Sequence, residues 1–555
     1  MKRQLIVSLL FCLPLFAPAQ SKIDVLHYKY SIELNDKNDS IYCKAEITFS
    51  ENQLSNLLEF DLSGLNSKGL GLIVDSVNTF LGGYRSTFLR YSELRPANIF
   101  KHTDDKLSLR FGYKRNFDSK TTYTTVVTIY YHGIPSDGLI ISKNKYGHRT
   151  FFADNWPNRA HDWIPCVDDP ADKASVEFIV TAPSHYQVVS NGIQVEETNL
   201  PGNKKLTHYK EDVPLPTKVM VIGVADFAVN KVGYADSVPV YSWVFPENKK
   251  EGFYDYAIAK NILAFFINYI GPYPYKKLAN VQSKTIFGGM ENAGAIFYSE
   301  NSVTGNRSEE GLLAHEIVHQ WFGDMATEKN FAHLWLSEGF ATYFAHIYME
   351  EKYGKERFNK EMQAERDKVI GFVKRSRKPV VDSVSPYMDL LNTNSYEKGS
   401  WVLHMLRRQL GDSVFKKSIR KYYETYAGKN ADTRDLQKIF ESVSGKSLEK
   451  FFTQWLYTPE NLQLDISWKY NKTEKNIAVT VKQLQPSGNF EFPLEILIQE
   501  STTSMPKRMI RTISKNPETF LFPVQSLFPV QSKPIRVEVD PNVSLLFEGT
   551  VKEVK

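Results

Sequence analysis

Leu312-Leu313-Ala314-His315-Glu316-Ile317-Val318-His319-Gln320-Trp321, followed by Leu334-Trp335-Leu336-Ser337-Glu338-Gly339-Phe340-Ala341-Thr342-Tyr343, is the stretch whose reading decides the fold. Leu312, Leu313, Ile317, Val318 and Trp321 recur at helical spacing and predict a helix with an apolar face. On that helix His315 and His319 share one side, about 6 Å apart along the axis. Two imidazoles so placed can bind one Zn2+, with Glu316 projecting beside the open coordination position. Hydrolytic zinc commonly takes two histidines, a glutamate and a water, so a third ligand is needed. Eighteen residues separate His319 from Glu338, enough to finish one helix, cross a loop and return Glu338 on a neighbouring helix. Asp324 and His333 are rivals for that place; Asp324 is better read as orienting a ligand histidine, and His333 as a loop residue. The expectation is one Zn2+ per chain, on His315, His319 and Glu338.

Outward from this centre the texture changes in both directions. The texture changes near Phe245-Pro246, with a predicted helix over 251–270 that stops at Gly271-Pro272-Tyr273-Pro274, and helical patterns dominate from Gly311 to about Tyr457. Before residue 245 the chain is a series of short β-like runs, such as Thr125–Tyr131, Val176–Val180, Val188–Ser190 and Val219–Val224. After Thr458-Pro459 strands return at Ile477–Val481, Leu494–Ile498 and Ile535–Val539, enough for a small β-sandwich over 459–555. A six-residue string, Leu521–Ser526, is repeated at once as Leu527–Ser532, which is a local insertion rather than a repeat architecture. The predicted class is multidomain α+β: an N-terminal all-β domain (20–245), a mostly α catalytic domain (246–458) and a C-terminal β-sandwich, with no large C-terminal helical domain.

Composition agrees with several packed cores. The 555 residues are 42% hydrophobic and 24% charged, which excludes disorder. A net charge of +5 on so long a chain does not argue for a nucleic-acid partner. Met1-Lys2-Arg3, the apolar run Leu5–Leu13 and Ala17-Pro18-Ala19 form the three-part pattern of a secretory signal peptide over 1–19. Export to a periplasm or the exterior follows, with no integral membrane segment after cleavage. Cleavage leaves only Cys43 and Cys166, which permits one disulfide and excludes a cysteine-based metal site.

At this point the chain resembles the gluzincin metallopeptidases, specifically the M1 aminopeptidase family. The family pattern of two histidines followed, after eighteen intervening residues, by a glutamate is matched by His315, Glu316, His319 and Glu338. Its Gly-x-Met-Glu-Asn strand stands here as Gly288-Gly289-Met290-Glu291-Asn292, and Ser395-Tyr396-Glu397-Lys398-Gly399 is similar to its catalytic-tyrosine segment. The resemblance implies a thermolysin-like catalytic domain and a zinc aminopeptidase acting on peptides with a free N-terminus. Glu316 would be the general base and Tyr396 the oxyanion donor, while Gly288, Gly289, Met290, Glu291 and Asn292 would line the substrate, with Glu291 holding its α-amine.

One position departs from the family. Its usual Gln or Glu, ten residues before the cysteine of a Pro-Cys string, counts back here from Cys166 to Trp156. An indole cannot accept a hydrogen bond from ammonium but offers its ring face. Asp154 or Asn155 would have to replace the missing acceptor through a shifted loop. Two other readings keep the metal: a family-related epoxide hydrolase, and a non-catalytic zinc-bearing scaffold that binds peptides.

Overall fold

Burial of every second side chain organises the first third of the chain. Along Lys173–Pro183, Ala174, Val176, Phe178, Val180 and Ala182 point inward while their neighbours face outward, the period of a half-buried strand. The structure, a computed structural model, describes residues 23–51, 57–82, 95–96, 99–110, 123–499, 505–523 and 536–554. The expected signal segment 1–19 and part of the duplicated hexapeptide lie outside the described residues. An eight-stranded sheet runs, in spatial order, Ile193–Leu200, Lys204–Pro216, Lys173–Pro183, Ile23–Glu33, Ile41–Glu51, Tyr123–Ile134, Gly71–Gly82 and Arg95–Pro96. A four-stranded sheet (Gln187–Ser190, Ile222–Ala225, Arg149–Ala153, Leu139–Lys143) and a three-stranded sheet (Leu57–Asp61, Lys106–Arg110, Ile99–Thr103) complete the N-terminal β region. The strand expected from Val219 begins only at Ile222, because Thr217–Val219 forms a tight helical turn; the amide of Asn155 donates to Thr217 O (2.9 Å) and Met220 O (2.6 Å). Cys43 and Cys166 are both buried free thiols, so the permitted disulfide is not formed.

A mixed five-stranded sheet carries the chain into the helical part: Ala228–Ala235, Val238–Val244, Leu278–Ser283, Ala295–Ser299 and, at the edge, Gly289–Met290. It spans both sides of residue 245, since the backbone of Val240–Trp243 is paired in parallel with Leu278–Val281. The longer helices are α1 (Lys249–Tyr256), α2 (Ala259–Tyr269), α3 (Glu310–His319), α4 (Trp335–Tyr353), α5 (Lys355–Ser376), α6 (Gly399–Leu410), α7 (Asp412–Tyr426) and α8 (Thr433–Ser444), with a single turn at Glu449–Phe452. The single helix expected over 251–270 is thus two, α1 and α2. At α8 the end signals are local: Asp432 and Asp435 form a reciprocal capping box, and Gly445 closes it left-handed at φ 69°. Trp321, Trp335, Phe340, Phe344 and Trp401 are fully buried where α3, α4 and α6 meet.

The C-terminal region is two sheets. Glu518–Pro523, Asn476–Gln483, Leu462–Asn471 and Phe547–Glu553 form one; Lys507–Ile513, Phe492–Gln499 and Arg536–Val539 form the other. Ile466, Val479, Val481, Leu494 and Ile496 are fully buried in this region. Among the described residues no helix is long and apolar enough to cross a membrane.

Candidate active site

α3 delivers His315, Glu316 and His319, and the first turn of α4 delivers Glu338, the helix-loop-helix return read from the spacing. The two Nε2 atoms of His315 and His319 are 3.1 Å apart, and each is 3.3 Å from Glu338 Oε2. Donors of a tetrahedral Zn2+, each about 2.0–2.1 Å from the ion, lie about 3.3 Å from one another, so this triangle fits the ion. Charge agrees with geometry. Burial pushes the His319 ring down, but the carboxylates of Glu338, Glu291 and Glu316 outweigh it and raise the ring to about 10. Burial likewise acts to raise Glu338, yet His319 and His315 bring its carboxyl well below the usual range. The pocket is rich in carboxylates and short of positive charge.

His319 is held from behind: its Nδ1 lies 3.1 Å from Phe322 O and 3.0 Å from Ser337 Oγ. A carbonyl only accepts, so Nδ1 donates and Nε2 is turned toward Glu338. The orienting hydrogen bond expected from Asp324 is therefore made by Phe322 and Ser337 instead. Asp324 is fully buried, and its Oδ2 accepts from Gln320 Nε2 at 3.0 Å. His333 faces Thr433 Oγ1 (2.9 Å), away from the donor triangle.

Glu316 packs against the edge strand. A Cβ on Gly289 would come within 2.3 Å of Glu316 Oε1, so a glycine is required there. Burial pushes the Glu316 carboxyl well above its ordinary range, with Glu291 and Glu338 adding to the effect against His319. Such a carboxyl is a stronger proton acceptor than a surface one.

Glu291 directly follows the same strand. It is only 5% exposed, and its Oε1 is buried without a hydrogen-bond partner. Its backbone is clamped by Gln320, whose amide donates to Glu291 O (2.7 Å) while its carbonyl accepts from Gly294 N (2.8 Å). Asp154 Oδ2 accepts from Thr285 Oγ1 (2.9 Å) and Ile286 N (3.0 Å), hanging the approach to this strand on the N-terminal region. Asp154 Oδ1 also accepts from Arg159 Nη2 (2.6 Å), and Asn155 Oδ1 accepts from Trp163 Nε1 (2.8 Å), so the oxygens of both residues are taken and neither replaces the missing acceptor. Trp156 does reach the site: it lines the cavity edge-on to Phe287 (6.1 Å) and Phe331 (5.7 Å). Asn292 is wholly buried and off the cavity wall.

Tyr396 sits in a π-helical turn, Asn394–Lys398, with its ring stacked on His315 at 6.0 Å and 14°. Burial raises its phenol well above the usual value, and Glu338, Glu291 and Glu316 add to this, so it stays protonated and able to donate. These groups line a cavity of about 540 Å³. One stretch of wall is Trp156, Phe287 and residues 288–291; another is a charged group on α4 and α5. There His346 bridges Glu361 (3.1 Å) and Glu365 (2.7 Å). The sequence reading missed this wall, since charges spaced along α5 read as a solvated face. It also missed Ser337 and Gln320, whose only signal is adjacency to the motif residues.

Two histidines and a glutamate around an open position, with a buried carboxylate beside them, are the donor set of a hydrolytic metal centre. Residues 24–219 match the peptidase M1 N-terminal domain and residues 254–455 the peptidase family M1 domain. The chain belongs to peptidase family M1. It is 29% identical to "Probable aminopeptidase 2" of Sulfurisphaera tokodaii over 64% of this chain and 47% of that protein. Glutamyl aminopeptidase of Bitis rhinoceros is 28% identical over 74% of this chain and 43% of its own length. The chain thus spans about half the length of the curated relatives it matches. The solved structure of Legionella pneumophila aminopeptidase A in complex with aspartic acid shares the fold, with TM-score 0.78 at 18% identity over 96% of this chain and 60% of that one.

Proposed function

We propose that this chain is an exported zinc aminopeptidase that removes single residues from the free N-terminus of peptides. The observation that carries the reading is Glu291: a buried carboxylate oxygen without a partner, directly after the edge strand Gly289–Met290 and beside the His315–His319–Glu338 triangle. A buried anionic oxygen left unsatisfied calls for a cationic partner, and a substrate ammonium is one. The basic, apolar and small-residue segments of 1–19 support export.

His315, His319 and Glu338 would hold the zinc, which when bound acts as a Lewis acid on the peptide carbonyl and on water. The chain's own groups do the rest. Glu291 fixes the ammonium, and the Trp156 ring offers its face to the same charge. The backbone of Gly289–Met290, an edge strand made approachable by two glycines, pairs with the extended substrate. Glu316 takes the proton of the attacking water and returns it to the leaving amine. The Tyr396 phenol donates a hydrogen bond to the oxyanion.

Purified protein should hold one zinc per chain and release the fluorophore from aminoacyl-amide substrates; metal analysis and a panel of such substrates test both. A zinc-replete protein inert toward the whole panel contradicts the reading and leaves a binding scaffold. Turnover of epoxides in place of amides points to the family-related hydrolase.

A further inference from the structure

We propose that Gly339 and Gly399 are positioning residues for the hydroxyl of Tyr396, setting its distance from the metal ligand Glu338. The proposal rests on the role given to Tyr396 above. Gly339 follows Glu338 in the first turn of α4; Gly399 opens α6 directly after the turn that carries Tyr396. The two glycines meet backbone to backbone. A Cβ built on Gly339 lies 2.9 Å from both C and Cα of Gly399 and 3.1 Å from Ser395 O. A Cβ on Gly399 lies 3.0 Å from Gly339 Cα and 3.3 Å from Trp335 Cβ. Neither φ is left-handed, so what glycine supplies at both positions is space.

The atoms in the way are backbone and cannot rotate aside. The turn is also tied on its other sides. Ser395 Oγ donates to Leu390 O (2.7 Å), Asn394 Nδ2 to Lys378 O (2.8 Å) and Pro379 O (3.1 Å), and the buried Lys398 Nζ to Glu460 O (3.4 Å). A methyl group at the seam therefore pushes apart the turn that carries Tyr396 and the helix that carries Glu338. Both helices are packed through fully buried Trp335, Trp401 and Phe340, so the displacement cannot be absorbed by loose neighbours. The π-helical turn fits the same picture, because such turns re-aim a side chain at a working site.

Gly339→Ala and Gly399→Ala are each measured alone and in a Tyr396→Phe background, with metal content and KM recorded. Displacing an oxyanion donor by a fraction of an ångström to an ångström predicts a fall in kcat of about 10- to 100-fold, with KM within about twofold and zinc stoichiometry retained. In the Tyr396→Phe background, where no hydroxyl is left to misplace, either alanine should add less than about a twofold loss. Equal losses in both backgrounds, or parental activity in both single variants, overturn the proposal. Failure of both variants to fold or to hold zinc also overturns it, assigning the seam to stability. Tyr396→Phe alone reports separately on the underlying reading: it should lower kcat about 10²- to 10³-fold, and a silent phenylalanine variant removes Tyr396 from the mechanism whatever the glycines do.

Discussion

Replacing Glu291 by Gln removes one charge while keeping the shape of the side chain. The magnitude follows from what surrounds it. Glu291 is 5% exposed with one oxygen unpartnered, and the neighbouring Lys218 is already paired with Glu328 at 2.5 Å. The oxygens of Asp154 and Asn155 are taken by Thr285, Arg159 and Trp163, and an indole such as that of Trp156 can offer a cation only its ring face, worth about 1–2 kcal/mol when desolvated. A substrate ammonium opposite Gln would lose the counter-charge of Glu291 in a buried site, with Glu316 and Glu338 left as its neighbouring carboxylates, at a cost of about 3 kcal/mol. That corresponds to about a 150-fold loss in kcat/KM. The assay compares free and N-acetylated forms of one peptide with parent and variant. The parent should strongly prefer the free form, and the variant should lose most of that preference. Zinc stoichiometry should not change, because His315, His319 and Glu338 are all retained. A variant within about fivefold of the parent, with its preference intact, would refute the reasoning.

Other perturbations probe separate parts of the account. Glu316→Gln should keep zinc near one per chain while lowering kcat by about three orders of magnitude or more, since a proton acceptor is lost but no ligand; kinetics paired with metal analysis reads this. Asp172 tests a folding term away from the site: burial, with Asp24 and Asp169 adding to it, raises its carboxyl to about 7, and its Oδ2 is buried without a partner. A carboxyl raised on folding binds its proton more tightly in the folded state, so its ionisation lowers stability as pH rises from about 4 to 7. Asp172→Asn should therefore gain stability over the parent across that range and keep a constant advantage above it; equal melting curves at pH 8 would contradict this. N-terminal sequencing of the exported protein should begin at Gln20, and an intact Met1 on exported material would remove the signal-peptide reading.

The catalytic helices were legible because their chemistry is periodic. His315, Glu316 and His319 need only one turn of α3, and the distance to Glu338 allows only a short loop and a return. Strands such as Lys173–Pro183 were legible through alternation. What the sequence hid is held by contacts distant in the chain. Val240–Trp243 reads as the end of a β domain, and only its pairing with Leu278–Val281 places it in the sheet that carries Glu291. Asp324 has the charge suited to orienting His319, but a carbonyl and a hydroxyl, Phe322 and Ser337, reach Nδ1 instead. Trp156, reached by counting back from Cys166, lines the cavity, whereas the oxygens of Asp154 and Asn155 are claimed by Arg159, Thr285 and Trp163, contacts that no local pattern announces. The Gly339–Gly399 seam carries no sequence signal of its own: two glycines sixty residues apart acquire a shared role only when the helices pack.

One digestion tests the central claim most directly. A defined peptide and its N-acetylated twin are incubated with zinc-loaded protein and with protein stripped by a chelator, and the products are read by mass spectrometry. The account predicts a ladder of single-residue losses from the free N-terminus, present with zinc, absent after stripping and restored by zinc, with the acetylated twin intact. Internal cleavage of the acetylated peptide at a comparable rate, or a ladder indifferent to chelation, would contradict it.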